Sequence, residues 1–363
     1  MRLATVEVIP YALPFRRPYV TARGRLEQRE MVLLRLRDEE GLVGLGEAVP
    51  LSLRGGAALG EVVRELKALS GFASLDESAF DGTLAGLSAP ARCAVSTALL
   101  DLRGRRAGHE AQPGGELGPV QDAPPVAAAP AVACNATLVA GQPAAVAADA
   151  AHWAEEGFST FKLKLGAGDD VAQVSAVREA VGPSARIRVD ANAVWDLETA
   201  KRNLDALEPL GIELAEQPVA TMEDLAALAE TTSIPLAADE SVTNAADAER
   251  AAALGACAYT GIKLSKVGGP EQALAIADIL PAYISSALDG PIGIAAAAQV
   301  AQTLQETDRP ERLDLAHGLA TQRLFASTVA AVECELREGM LHLPPGPGLG
   351  VEIDERALDA HRL

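Results

Sequence analysis

The chain has 363 residues, enough for one large or two ordinary domains with a sizeable core. Its formal charge of −19 argues against nucleic acid or an anionic membrane surface as a partner, though a local site can oppose that field and take a small anion. Apolar residues make up 49% of it without any uninterrupted run of membrane length, and no secretory leader pattern follows Met1, so a cytoplasmic protein is expected. Four widely spaced cysteines, Cys93, Cys134, Cys257 and Cys334, fit no zinc or redox spacing and read as reduced structural thiols.

Residues 1 to about 50 alternate as an antiparallel meander. Asp38-Glu39-Glu40-Gly41 forms the turn of a hairpin between 31–37 and 42–48. The segment from Pro14 to Gly24 is basic and aromatic and reads as a loop, a candidate lid over an anionic substrate; 50–56 reads as a second lid. Apolar spacing at i, i+3, i+4 predicts helices over roughly 59–72, 76–87 and 89–106. The Pro-, Gly- and Ala-rich stretch 107–130, with His109 in it, reads as a linker. The domain plan is therefore an α+β cap over 1–106, a linker over 107–130, a barrel over 131–330 and a tail over 331–363 that returns to the cap.

The barrel follows from a repeat. Short apolar segments end in charged residues at Lys164, Asp190, Glu216 and Asp239, and Lys263 lies in the next. The steps are 26, 26, 23 and 24 residues, and Ser285-Ser286 ends a further segment. Such a step is one strand plus one helix, and eight of these units close a parallel (β/α) barrel whose functional residues sit at the C-terminal strand ends. Lys162 and Lys164 share one face of their strand. Two neighbouring buried ammonium groups are expected to lower a lysine pKa and make a base. Asp190, Glu216 and Asp239 on adjacent strand ends would repel without a cation among them. All-oxygen ligation suits Mg²⁺ or Mn²⁺ rather than zinc. Lys164 and Lys263 would then face each other across the ion, an arrangement suited to removing a proton beside a carboxylate.

Lys162-Leu163-Lys164, Asp190-Ala191-Asn192, Glu216-Gln217-Pro218, Asp239-Glu240-Ser241 and Ile262-Lys263-Leu264-Ser265-Lys266-Val267-Gly268-Gly269 together resemble the enolase superfamily, muconate-lactonising subgroup. The resemblance covers nearly the whole chain. It implies a modified TIM-like barrel with an α+β cap, Mg²⁺ on Asp190, Glu216 and Asp239, and Lys164 and Lys263 as opposed catalytic lysines, with Lys266 the rival for Lys263. It also implies that Lys162 tunes Lys164. Within the subgroup, Arg188, Ser285-Ser286 and the segment to Gly293 most resemble the o-succinylbenzoate synthases. That points to a dehydratase of menaquinone synthesis with a small anionic carboxylate as substrate, and to Arg188, Asn192, Ser285 and Ser286 as substrate-binding residues. N-succinylamino acid racemase and muconate cycloisomerase remain open beside it, as does a cation-binding structural or interaction protein. Asp314-Leu315-Ala316-His317-Gly318 lacks the Asp-x-Asp of dipeptide epimerases, and His317 reads as a core or loop residue.

Overall fold

The protein is described by a computed structural model covering residues 2–21, 24–51, 56–72, 84–108, 131–306 and 315–363. Most of the expected linker and of the helix at 76–87, parts of both expected lids, and Asp314 lie outside these residues.

The cap opens with β1 (Leu3–Thr21), β2 (Gly24–Asp38) and β3 (Val43–Ala48), an antiparallel sheet in that order. Most of Pro14–Gly24, expected as a loop, belongs to the β1–β2 ribbon, with Tyr19 paired to Leu26. Its alternating apolar residues find a surface: Phe15 stacks on Phe325 at 5.0 Å. Behind the sheet lie α1 (Leu59–Ala68) and α2 (Ala89–Ala107), which begins with Pro90 in its first turn and ends at left-handed Gly108. The helix packs tightly on β3. A Cβ at Gly46 would lie 1.9 Å from the Ala94 carbonyl oxygen.

The next elements are β4 (Ala131–Ala133), β5 (Ala136–Leu138), α3 (Pro143–Glu155), β6 (Thr160–Lys164), α4 (Asp170–Val181), β7 (Arg186–Asp190), α5 (Leu197–Leu207), β8 (Ile212–Glu216), α6 (Met222–Ala229), β9 (Leu236–Ala238), α7 (Ala245–Leu254), β10 (Tyr259–Ile262), α8 (Leu264–Val267), α9 (Pro270–Ala277), β11 (Ala282–Ile284) and α10 (Pro291–Glu306). Short polar side chains start several of these helices: Asp169, Asp196, Thr221 and Asn244 each accept a backbone N–H three residues on. Strands β5 to β11 form one seven-stranded parallel sheet in chain order. An eighth regular strand was expected. The ring closes instead through two residues: His317 bridges Cys134, and Gly318 bridges Ser285. Gly318 N–H donates to the Ile284 carbonyl (2.8 Å) and His317 N–H to the Ala133 carbonyl (2.7 Å). Lys266, expected in a loop, lies in α8; Lys263, expected within a strand, is the residue that caps α8.

The tail contains β12 (Ala330–Val332), β13 (Glu335–Arg337), β14 (Met340–His342), β15 (Glu352–Ile353) and α11 (Glu355–His361). β14 pairs antiparallel with β4, so β4 stands outside the barrel sheet. The chain then returns to the cap: Leu363 N–H donates to the Pro10 carbonyl (3.0 Å), and Glu355 pairs with Arg35 (2.7 Å). One apolar core runs from Ile9, Leu13 and Leu33 in the cap into the barrel, which ties the two parts together.

Gly46→Ala drives a methyl into the backbone of α2, where neither neighbour is a flexible side chain. The expected loss is roughly 1–3 kcal/mol, as for other overpacked cores, seen as a lower denaturation midpoint with an unchanged slope.

Candidate active site

Strand register puts the charged residues in one layer. Lys164 pairs with Asp190 across β6 and β7, and Asp190 with Glu216 across β7 and β8. Asp239 follows β9 directly. Its N–H donates to the Gln217 side-chain oxygen (2.8 Å), which also accepts from Ser241 N–H (3.1 Å). Gln217 takes a left-handed φ of 37°, turning its side chain back across the strand ends.

All three carboxylates are buried, and each engages lysine. Lys162 Nζ donates to Glu216 Oε2 at 2.5 Å and lies 2.9 Å from Asp190 Oδ2; Lys164 Nζ lies 2.5 Å from the same Asp190 oxygen. Lys263 pairs with Asp239 Oδ2, and Lys266 Nζ donates to Asp239 Oδ1 at 2.8 Å. These pairings overturn one expectation. Burial works against the Lys162 charge, but Asp190 and Glu216 outweigh it, so the Lys162 pKa is raised, not lowered. Burial also opposes the Asp190 charge, yet Lys162 and Lys164 hold its carboxyl below the usual range. Glu216 moves the other way, upward, from burial and from Asp190 beside it.

Beneath this layer Tyr283 donates its hydroxyl to Glu216 Oε2. Burial and the adjacent Glu216 charge raise the Tyr283 pKa. Arg188 lies over the Tyr283 ring, 5.1 Å from its centroid. The expected role of Arg188 in substrate binding is therefore corrected. Its side chain is fully buried two residues deeper than Asp190, where it pairs with Glu213 and donates to the Ala316 carbonyl (2.6 Å). His317 is a core residue, as read. Its Nδ1 accepts the Ile284 N–H (3.0 Å), and burial, with Arg188 nearby, pushes its pKa down to about 3.

Above the carboxylates opens a cavity. Lys162, Lys164, Asn192, Lys263, Ser285 and Ser286, all singled out in the sequence, line it. Ser286 differs in one respect: its hydroxyl donates to Asp289 Oδ2 (2.7 Å) and accepts from Asp289 N–H (2.9 Å), so it is part of a turn. Asn192, at φ 49°, donates its N–H to Asp190 Oδ1 (2.9 Å). The sequence reading missed Arg29, Thr137 and Thr321 as lining residues and set Lys266 aside. Arg29 donates to the Pro50 (2.8 Å) and Ala287 (3.1 Å) carbonyls, from a strand whose alternation carries no sign of that reach. Tyr19, Leu26, Leu51, Ala287 and Leu288 make an apolar wall.

Three neighbouring carboxylates are an all-oxygen donor set for a hard divalent cation, and Glu216 Oε1 is buried without a hydrogen-bond partner. As the side chains stand, lysines occupy Asp190 Oδ2, Glu216 Oε2 and both Asp239 oxygens, and the Asn192 N–H occupies Asp190 Oδ1; among the described residues no three His, Cys, Asp or Glu side chains gather closely enough to hold an ion. Exchange of ammonium for metal is thus the rearrangement that a metal-bound state requires.

The chain is similar to known proteins over most of its length. Residues 145–357 match the family model for an enolase C-terminal domain-like fold, and residues 3–111 match that for the mandelate racemase / muconate lactonizing enzyme N-terminal domain. Muconate cycloisomerase 1 of Pseudomonas putida is 31% identical over 97% of this chain and 96% of the relative. An o-succinylbenzoate synthase of Thermobifida fusca is 36% identical over 61% of this chain and 67% of its own. The crystal structure of a dipeptide epimerase from Enterococcus faecalis, complexed with Mg and L-Leu-L-Tyr, superimposes with a TM-score of 0.86 at 26% identity, covering 97% of this chain and 100% of that one. Among the described residues no helix is long and apolar enough to cross a membrane.

Arg188→Met would leave Glu213 with only the longer pair to Arg186 (3.7 Å) and the Ala316 carbonyl without its donor, without touching the cavity. The expected cost is up to roughly 3 kcal/mol by chemical denaturation, the low end for a broken buried pair because Glu213 is 18% exposed.

Proposed function

The chain belongs to the mandelate racemase / muconate lactonizing enzyme family of the enolase superfamily, and on that premise we propose that it removes a proton α to a carboxylate of a dicarboxylic acid. One observation carries the substrate class. Arg29, Lys162, Lys164, Lys263 and Lys266 line the cavity, and no Asp or Glu is among the described residues that do. A second anionic group on the substrate suits this surface. A substrate ammonium, as in a dipeptide, would face lysines with no carboxylate to receive it.

Asp190, Glu216 and Asp239 would hold Mg²⁺. When bound, the ion supplies positive charge for the substrate carboxylate as negative charge gathers there. To act as the base, Lys164 Nζ must leave Asp190 Oδ2, the same movement that frees that carboxylate for a metal. Lys164 then takes the α-proton as a neutral amine. Lys263, after β10 on the far side of the carboxylate row, stays cationic and offsets charge on the planar intermediate. Lys162 stays charged between Asp190 and Glu216 and orients the substrate carboxylate.

Of the reactions open to such a site, we favour dehydration to o-succinylbenzoate. Lys164 returns its proton to the leaving hydroxyl, and water departs from the face it attacked. The apolar wall of Tyr19, Leu26 and Leu288 suits a cyclohexadiene ring, Asn192 and Ser285 lie within reach of its polar groups, and the cations suit its two carboxylates. The placement of Lys164 and Lys263 on opposite sides also supports a racemase of N-succinylamino acids, in which each lysine serves one face.

The test is an assay with Mg²⁺ on the succinyl-hydroxycyclohexadiene carboxylate, followed by absorbance, beside N-succinylamino acids in D₂O with α-proton exchange read by NMR. Dehydration without efficient exchange supports the synthase; exchange alone moves the enzyme to the racemase reading. Turnover of dipeptides but of neither acid would sink the dicarboxylate assignment. Lys164→Ala is expected to cost a factor of about 10²–10⁴ in kcat, or more, with the circular dichroism unchanged. Mg²⁺ at about 100 times its Kd should stabilise the wild type by about 2.7 kcal/mol in thermal unfolding, and Glu216→Gln should lose most of that gain.

A further inference from the structure

The cap meets the barrel at a buried polar cluster that has no part in the proposed proton transfer. Glu47 of β3 is its centre, 2% exposed. Tyr11 of β1 donates its hydroxyl to Glu47 Oε2 (2.7 Å), and the Gly290 N–H, just before α10, donates to Oε1 (2.6 Å). Glycine is required here and at Gly293, because a Cβ would lie 2.6 Å from Glu47 Oε2 at Gly290 and 2.7 Å from Oε1 at Gly293.

Asp289 is next to this contact and holds the cavity wall. Its carboxylate accepts from Ser286 Oγ (2.7 Å), Ala287 N–H (2.7 Å) and Ser265 Oγ (3.3 Å), and 285–288 line the cavity. Glu47 and Asp289 therefore flank the same spot: a Cβ on Gly293 would lie 2.7 Å from an oxygen of one and 3.2 Å from an oxygen of the other. Two buried carboxyls this close do not both ionise cheaply. The other titratable or charged groups around them are Tyr11 from β1, with Glu333 of the tail acting on it, Cys93 from α2, and Arg29 of β2, which donates to the Ala287 carbonyl of the wall; β2 also contributes uncharged Met31.

We propose that Glu47 is a positioning residue: in its neutral form it fastens the cap to the 285–290 wall of the cavity, and loss of its proton loosens that wall. Protonated, the carboxyl keeps the Gly290 bond on Oε1 and still accepts from the Tyr11 hydroxyl on Oε2. Deprotonated, it sets a second buried negative charge against Asp289. Burial first, and then the Asp289 charge, pushes its pKa up to about 8. This folded value lies above the ordinary glutamate value near 4.3 in the unfolded chain. The stabilisation is therefore complete below that lower value and is lost as pH rises through about 8. The inference rests on the proposed function only in that the wall belongs to the substrate's cavity; the fastening does not depend on which acid binds.

The experiment is amide hydrogen exchange of the Mg²⁺-loaded protein at pH 6.5 to 9.5, corrected for intrinsic rates. In the wild type, protection of 284–290 should fall by up to about tenfold per pH unit as pH rises to about 8 and level off above it, as one-proton linkage requires, while the core of β6 to β8 changes little. Glu47→Gln, which retains an oxygen for Gly290 and an N–H for Tyr11, should keep protection level across the range. Tyr11→Phe removes the hydroxyl that favours the carboxylate and should move the midpoint upward. With a turned-over acid, KM should rise between pH 6.5 and about 8 and level off above it in the wild type alone, at unchanged kcat. The proposal is overturned if the wild-type and Gln curves run parallel, or if protection falls equally across the whole barrel. Should Glu47→Gln not fold, a midpoint unmoved in Tyr11→Phe overturns it. Failure of every dicarboxylate as substrate would sink the functional reading and leave the exchange result to stand.

Discussion

The structure depends on repulsion among three carboxylates. Asp190, Glu216 and Asp239 end three adjacent strands and are buried, so a positive charge must lie among them or their pKa values must rise. The chain supplies ammonium from two directions: Lys162 and Lys164 from β6, Lys263 and Lys266 from the turn after β10. The lysines that would do the chemistry are the same groups that neutralise the carboxylates without metal. Ground-state stability and catalytic readiness are thus alternative uses of one set of charges. Glu216, with one oxygen on Lys162 and the other buried without a partner, shows the unequal sharing most clearly.

Much of this layer was legible because it repeats. A strand and a helix take a nearly fixed length of chain, so the step from Lys164 to Asp190 to Glu216 specified the barrel and the row together. The closure was not legible. Two residues, His317 and Gly318, do the work of an eighth strand through backbone bonds, and so short a contact carries no periodic signal. The ribbon at Pro14–Gly24 misled for a related reason. Its prolines and charges look like loop chemistry, but Pro14 and 19–21 pair with β2 on either side of a register shift, and Phe15 stacks on Phe325.

At Lys162 the pKa moves opposite to the expectation, which left out the partners. Two ammoniums side by side depress one another only when nothing opposite compensates. Here each lysine touches a carboxylate, and attraction at 2.5–2.9 Å outweighs burial at Lys162. Arg188 shows the limit of alternation as a guide to function. Lying two residues before Asp190, it shares the interior face of β7, as the spacing required. Depth along the strand decides its role, and depth cannot be read from alternation. One pleat lower it faces Tyr283 instead of the cavity.

That lower layer has a consequence for the upper one. Tyr283 fixes Glu216 Oε2 from beneath, and Arg188 holds the Tyr283 ring by cation–π contact while tying β7 to the closing segment at Ala316. With one oxygen held by Tyr283 and Lys162, the carboxylate of Glu216 has little rotational freedom, so Oε1 keeps its direction whether or not a ligand is present. A donor fixed in advance does not lose that rotational entropy on binding. Cap and barrel apply the same economy at the cavity wall: Asp289 fixes the turn at 286–289 from within the barrel, and Glu47 reaches it from the cap. Each side of the cavity therefore rests on a buried acid whose partners lie one layer behind the surface the substrate would touch.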